Sequence, residues 1–573
     1  MNNRIIKDYL ESLKEDDELD YIFPILLESM GFQILSSPKI SKGQPQYGKD
    51  IVAIGDDENG IKHKWYFELK GNAAKDITDT NFFKPDGVRD SILAAKDVPY
   101  QDASIPGLEN LPTKIVFVHN GRLHENTRAI LTNLVSREFK EGEFERWDID
   151  KLTFLFQKYL FDECLFRDWE CYKLIKRILV QHDAPGWTTR DIDQLIEHLL
   201  KACPVRKSNS RMLELTISSM ALMVFMLFSE GKENGNISSA KKSIDRVVLL
   251  TWAWIIENNL ETSKQILKKY FSLIELQLKI YDAYFEKLLP LAVQYKGLYM
   301  YNGMTTEKVC YPLRCFEFIN DFMYYCILKF RFVQKEDIPK FYCESLEAIF
   351  QVMGKNSGFT MPLFDTHYLT YTLLFKLIML WGQNGEKDWL RFGKIISETV
   401  QNLFLRKKDS DMLPELYNNR KELARSLYKK SDGYTDSSSI LLLRMLEFVS
   451  VMGMEDHYQL LSELIEQNHI VIQDCYPIPS EDFEVKLFRQ RMYDGFSVKT
   501  PINIPPTMDE FIKQHRRDIS TVSLKTSLSP YSFLTIMAHL HYQTDWFPEF
   551  LDLGFLNGNE DNQRINPSDC CEI

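Results

Sequence analysis

The stretch from Tyr47 to Lys70 (YGKDIVAIGDDENGIKHKWYFELK) constrains the fold more than any other. Asp50–Ile54 is a short apolar run, Gly55–Gly60 is dense in turn residues, and Ile61–Lys70 is rich in β-formers. Two strands joined by a tight polar turn are expected. Strand alternation puts Trp65, Phe67 and Leu69 on one face and Tyr66, Glu68 and Lys70 on the other. Closing the hairpin around Asp56–Gly60 brings Asp50 opposite Tyr66–Glu68, so that two carboxylates and a lysine share one patch of sheet. Grouped carboxylates suit a hard divalent cation, Mg²⁺ above all, with Mn²⁺ as a substitute. Such an ion makes water nucleophilic and offsets charge growing on a phosphate, while a lysine orients that water.

An E-x-K on a strand is by itself commonplace and usually a solvated face. The aspartate opening the preceding strand, the glycine before it and the hairpin between raise the signal. Gly48-Lys49-Asp50-Ile51 followed by Glu68-Leu69-Lys70 resembles the PD-(D/E)xK nuclease superfamily, whose fold is restriction-endonuclease-like. Lys49 stands where the nominal motif has proline. The segment LDYIFPILLESMGF is similar to the opening helix of Mrr-like members, which carry an acid eleven positions before a glycine; Asp20 holds that place relative to Gly31. Glu18 and Glu28 are alternatives, and a solvated helix face is the plain one. The resemblance implies that Asp50 and Glu68 hold Mg²⁺ together with the Leu69 carbonyl. Lys70 would position or activate water, and Asp20 would support the metal shell.

The order of elements in residues 1–160 fits that fold: helix, strand, hairpin, helix, strand, helix, strand. Helical periodicity runs through Ile5–Met30 and stops at Gly31; strands are expected at Phe32–Leu35, Thr113–Val118 and Glu145–Asp150, and helices at Lys84–Ala95 and Arg122–Phe139. His119 ends a strand near the site, and a structural or surface role is its plainer reading.

Beyond residue 160 the pattern changes to long amphipathic stretches, among them Asp191–Cys203, Met212–Ser229, Ser239–Glu257, Thr262–Phe285, Phe316–Val333, Thr366–Trp381, Trp389–Arg406, Ser437–Met452 and Tyr458–His469. Residues 161–557 are therefore read as an all-α helical bundle or solenoid-like region with a regulatory or assembly role. Asp474–Pro506 reads as an extended crossing segment and 558–573 as a polar, disordered tail. Leu215–Phe228 is the most apolar run, too short for the roughly twenty residues a bilayer needs, so buried helices are expected.

Charge and cysteines bound the function. The chain carries a formal charge of −12, and residues 1–160 alone hold 21 Lys/Arg against 27 Asp/Glu. An acidic nuclease head binds phosphate backbone weakly by itself, which points to control by the helical region through self-association, a protein partner or a sensor surface. Ten scattered cysteines without CxxC pairs suggest reduced thiols and a cytoplasmic protein, and the polar Met1–Asp20 gives no sign of a secretory leader. Phosphate-loop, HExxH and GxSxG motifs are absent. His515-Arg516-Arg517, Arg406-Lys407-Lys408 and Lys173–Arg177 read as solvated basic clusters. The expected function is a Mg²⁺-dependent endonuclease acting on nucleic acid, with DNA placed ahead of RNA, of the kind found in prokaryotic restriction or anti-phage effectors. The alternative is an inactive nuclease-fold docking module on a helical scaffold.

Overall fold

The computed structural model describes residues 7, 10, 11, 13, 15, 19–37, 47–71, 76–85, 87–102, 104–159, 169–184, 186–203, 210–301, 303–382, 385–426, 438–477, 483–489, 497–520 and 531–544. The expected tail at 558–573 lies outside them. The chain divides into two compact units, Met1–Thr251 with Leu260–Leu276, and Trp252–Asn259 with Gln277–Ile573. The change of pattern near residue 160 is thus not the limit of the first unit, which takes in further helices.

The first unit is built on a five-stranded sheet in sequence order, β1 (Gln33–Ser36), β2 (Ile51–Asp56), β3 (Lys62–Lys70), β4 (Thr113–His119) and β5 (Phe144–Trp147). The first three strands are antiparallel, and β3, β4 and β5 run parallel. The helices in this part are α1 (Asp20–Ser29), α2 (Asp79–Phe83), α3 (Val88–Asp97), α4 (Glu125–Glu138) and α5 (Ile149–Phe156). The single helix expected over Lys84–Ala95 is two, because the chain leaves α2 at Lys84 in extended conformation and Gly87 starts α3. A Cβ at Gly87 would sit 2.7 Å from the Asn81 and Lys84 carbonyl oxygens. The last strand is shorter than Glu145–Asp150, since Asp148 accepts the Lys151 N–H as N-cap of α5.

Alternation along β3 sorts the core. On one face Phe67 meets Phe23 of α1 at 5.4 Å and Trp147 at 5.4 Å between ring centroids. Trp65 joins this cluster and donates its indole N–H to the Gly55 carbonyl at 2.9 Å. The other face is closed by α2, α3 and α4 through Phe82, Ile92, Leu131 and Leu134 around Phe117. Each fully buried aromatic or branched side chain stabilises by about 1.5–3 kcal/mol relative to exposure, so both sides of the central strands are fixed.

Four more helices follow, α6 (Trp169–Gln181), α7 (Arg190–Lys201), α8 (Ser210–Glu233) and α9 (Ser238–Glu257), then α10 (Lys264–Ala292). Within the first unit Tyr21 stacks on Phe225 of α8 at 4.9 Å, and Lys269 reaches Glu28 at 2.5 Å. Leu222, Val224 and Leu227 in the apolar run are buried, and no helix among the described residues is long and apolar enough to cross a membrane.

The second unit is largely helical: α11 (Met304–Phe330), α12 (Ile338–Lys355), α13 (Tyr368–Trp381), α14 (Glu386–Ser410), α15 (Arg420–Ser426), α16 (Ile440–Val451), α17 (Glu455–Gln467), α18 (Phe483–Phe488), α19 (Met508–Ser520) and α20 (Ser532–Tyr542). It is not all-α. A small sheet joins β6 (Ser438–Ser439), β7 (Val471–Pro477) and β8 (Ser497–Pro501), and β7 pairs with β8 antiparallel from Gln473↔Pro501 to Pro477↔Ser497. The segment read as an extended crossing contributes two strands of this sheet, because its backbone N–H and C=O groups satisfy one another in a ladder.

Candidate functional site

The hairpin forms where the sequence places it. The turn is tied by Asp57, whose Oδ1 accepts the Asn59 and Ile61 N–H groups at 2.9 Å each, and Gly60 takes a positive φ of 76°. The β2–β3 ladder runs from Asp56↔Lys62 to Ile51↔Phe67. Asp50 is the next residue, and its Oδ2 accepts the Leu69 N–H at 2.7 Å. Gly48 is required here: its φ is +69°, and a Cβ would lie 1.9 Å from the Ser91 carbonyl oxygen. Lys49, in the place of the motif's proline, fixes the same entry. Its ammonium donates to the Tyr47 carbonyl at 3.0 Å and the Val98 carbonyl at 2.7 Å.

Asp50, Glu68 and Lys70 come together at the ends of these strands. Lys70 Nζ lies 2.8 Å from Glu68 Oε1, and Glu68 is only 3% exposed. Burial, then the Glu68 charge, push the Asp50 carboxyl up to about 7 against the opposing pull of Lys70 and the Leu69 N–H. Burial alone would lower the Lys70 ammonium, but Glu68, Glu15 and Asp50 outweigh it and hold it above its ordinary value. Burial lowers Lys49 to about 8, partly offset by Glu68. The cluster therefore crowds negative charge into a poorly hydrated space, and Asp50 bears the strain.

Sequence reasoning missed Glu15. Its Oε1 accepts from Lys70 Nζ at 2.9 Å, a second partner for the ammonium beside Glu68. Asp20, the acid expected from the helix spacing, sits in the first turn of α1. No local motif marks Glu15, because its place depends on a contact from β4. Asn120, directly after that strand, donates from Nδ2 to the Leu10 and Leu13 carbonyls at 2.7 and 2.6 Å. His119 pairs in register with Lys70 across β3 and β4, is buried, and stacks on Phe117 at 5.1 Å. Burial, then Arg146, lower it to about 4, so it is neutral at physiological pH; a surface place is excluded.

The chemistry of the donor set fits a hard cation: two carboxylates at adjacent strand ends, with a third nearby, all oxygen ligands. A divalent ion would offset the burial and the Glu68 charge that together raise Asp50. The three carboxylates do not all gather within 4.8 Å; among the described residues the group that does is Glu447, Asp474 and His515. There Arg444 already supplies the cation. Its guanidinium binds Glu447 and, at 2.8 Å, Asp474 Oδ1, while His515 Nε2 lies 2.5 Å from Glu447 Oε1. That arrangement is an ionic network linking α16, β7 and α19, although its distances would accept a metal.

No family model, no curated protein and no solved structure matches the chain.

Proposed function

We propose that the first unit is a metal-dependent phosphodiesterase of the PD-(D/E)xK kind, an endonuclease for which DNA is the first substrate to test. The observation that carries this reading is the convergence of Asp50, Glu68 and Lys70 at the ends of a hairpin, with Asp50 raised to about 7 by burial and then by the Glu68 charge. Asp50 and Glu68 would hold Mg²⁺ or Mn²⁺, with the Leu69 carbonyl and Asp20 as further members of the shell. The ion, when bound, supplies a lowered pKa for water and charge compensation at the phosphate. Asp50 stays aligned through the Leu69 N–H, and Lys70, held on Glu68 and Glu15, would orient or activate the attacking water.

The helical remainder is assigned control of substrate encounter, as a regulatory or assembly region, because the acidic head has little affinity for phosphate of its own. A restriction or anti-phage effector is the setting that such a combination suggests, by analogy alone. The near-complete burial of Glu68 favours the competing reading, a docking module that retains the fold. Incubating the purified full chain with Mg²⁺ or Mn²⁺ on supercoiled, linear and single-stranded DNA and on RNA separates the two. Metal-dependent cleavage lost in Glu68→Ala supports the nuclease. No cleavage of any substrate, with no metal-dependent stabilisation, hands the case to the docking module.

A further inference from the structure

Lys70 has to be aimed. A lysine carries four flexible methylenes, and a single carboxylate partner on its own strand leaves its ammonium free to swing. Glu15 supplies the second point of attachment, so that Nζ is held between Glu15 at 2.9 Å and Glu68 at 2.8 Å. Glu15 lies 55 residues from Lys70 in sequence and outside the sheet, so something must bring it there.

Asn120 does so. It is 1% exposed, and its amide nitrogen spans the Leu10 and Leu13 carbonyls, two residues short of Glu15. The joint is completed by Gly71, the residue after Lys70. A Cβ there would lie 3.2 Å from both Asn120 Oδ1 and the Glu15 backbone nitrogen, so the absence of a side chain lets the three segments meet. The Gly71 N–H also points to Glu15 Oε2 at 3.4 Å. The end of β4, the end of β3 and the N-terminal segment are thereby tied at one point, with Glu15 projecting from it onto the lysine.

We propose that Asn120 is a positioning residue of the Asp50–Glu68–Lys70 site, acting through the N-terminal segment and Glu15 to aim the Lys70 ammonium. The inference rests on the nuclease reading for its effect on cleavage, but its effect on Lys70 stands apart from that reading. Asn120→Asp keeps the shape and replaces the donor with a carboxylate that cannot serve two carbonyls; Glu15→Gln removes the charge that Lys70 meets.

The test is a double-mutant cycle in the full chain with Asn120→Asp, Glu15→Gln and the pair together. Cleavage of supercoiled DNA at saturating Mn²⁺ is one readout, and the place of the Lys70 ammonium in crystal structures of the variants, read as its distance from residue 15, is the other. Each single change is expected to slow cleavage about tenfold and to move the Lys70 ammonium off residue 15, and the pair to do no more than either alone, as groups acting in series should. Should Asn120→Asp fail to fold, Gly71→Ala crowds the same joint from the other side and is expected to displace the ammonium likewise. Multiplying effects on cleavage, or a Lys70 ammonium that stays on Glu15 in Asn120→Asp and Gly71→Ala, overturn the proposal. If wild-type protein cleaves nothing while the ammonium moves as expected, the relay stands and the nuclease reading falls.

Discussion

The protein contains two buried charge clusters of nearly the same composition, and they behave oppositely. In each, two carboxylates meet a cation near a strand: Asp50 and Glu68 with Lys70 in the first unit, Glu447 and Asp474 with Arg444 in the second. The Arg444 fork bonds both carboxylates at once, and His515 adds a further contact to Glu447. Burial would raise Glu447, but Arg444 and His515 outweigh it and hold it below its ordinary value. The lysine cluster ends differently, because one ammonium is divided among three acids and Asp50 is left high. A planar fork can satisfy two buried carboxylates, whereas a point charge cannot. In the second cluster Arg444 offsets both carboxylates, although the buried Asp474 Oδ2 has no hydrogen-bond partner; in the first, Asp50 is left raised.

Breaking the arginine cluster should have the largest effect. Arg444→Met leaves two carboxylates buried without their cation and is expected to cost roughly 3–5 kcal/mol in denaturant unfolding. Cleavage and metal binding by the first unit should survive in protein that still folds. The next effect is on activity. Asp50→Ala and Glu68→Ala should each reduce cleavage by about a hundredfold or more and abolish stabilisation by Mg²⁺ in thermal melts. Asp50→Asn should raise the stability of the metal-free protein, since it removes a charge that burial opposes. Lys70→Ala should slow cleavage comparably, yet keep or tighten Mn²⁺ binding, because the oxygen ligands remain and a nearby positive charge is gone.

The smallest of these effects is one of sign. Burial, then the Glu68 charge, push Asp50 up to about 7 in the fold from an ordinary value of about 3.9. Its contribution to stability is therefore present below about pH 4 and lost as pH rises through about 7. Glu447 is depressed, so its contribution is present above the ordinary glutamate range and lost as pH falls through its folded value. Metal-free thermal melts should thus show the Asp50 contribution fading from about pH 4 to 7, with saturating Mg²⁺ flattening that slope. The Glu447 contribution should fade in acid instead.

The lysine cluster was legible in the sequence because its geometry is local. Strand alternation sets Glu68 and Lys70 on one face, and a turn rich in Asp and Gly sets Asp50 against them. Glu15 was not legible, since it is delivered by Asn120 from more than a hundred residues away. The arginine cluster was equally hidden: Arg444 and Glu447 share a helix, but Asp474 and His515 join them only through tertiary packing. Several long helices of the second unit were readable from apolar spacing, although α12, α15, α18, α19 and α20 have no counterpart among the stretches read above. The sheet of β6 to β8 was not readable, because one strand is two residues long and the others lie in a proline-rich stretch.

The most direct test of the contrast is calorimetric titration of Mn²⁺ into the full chain at pH 6 and pH 8. Wild-type protein should bind one or more ions more tightly at pH 8, as the Asp50 carboxyl ionises. That binding should vanish in Asp50→Ala, persist in Lys70→Ala, and be indifferent to Glu447→Gln. Binding that survives Asp50→Ala and Glu68→Ala but disappears in Glu447→Gln would contradict the account, placing the metal in the cluster that Arg444 was argued to complete.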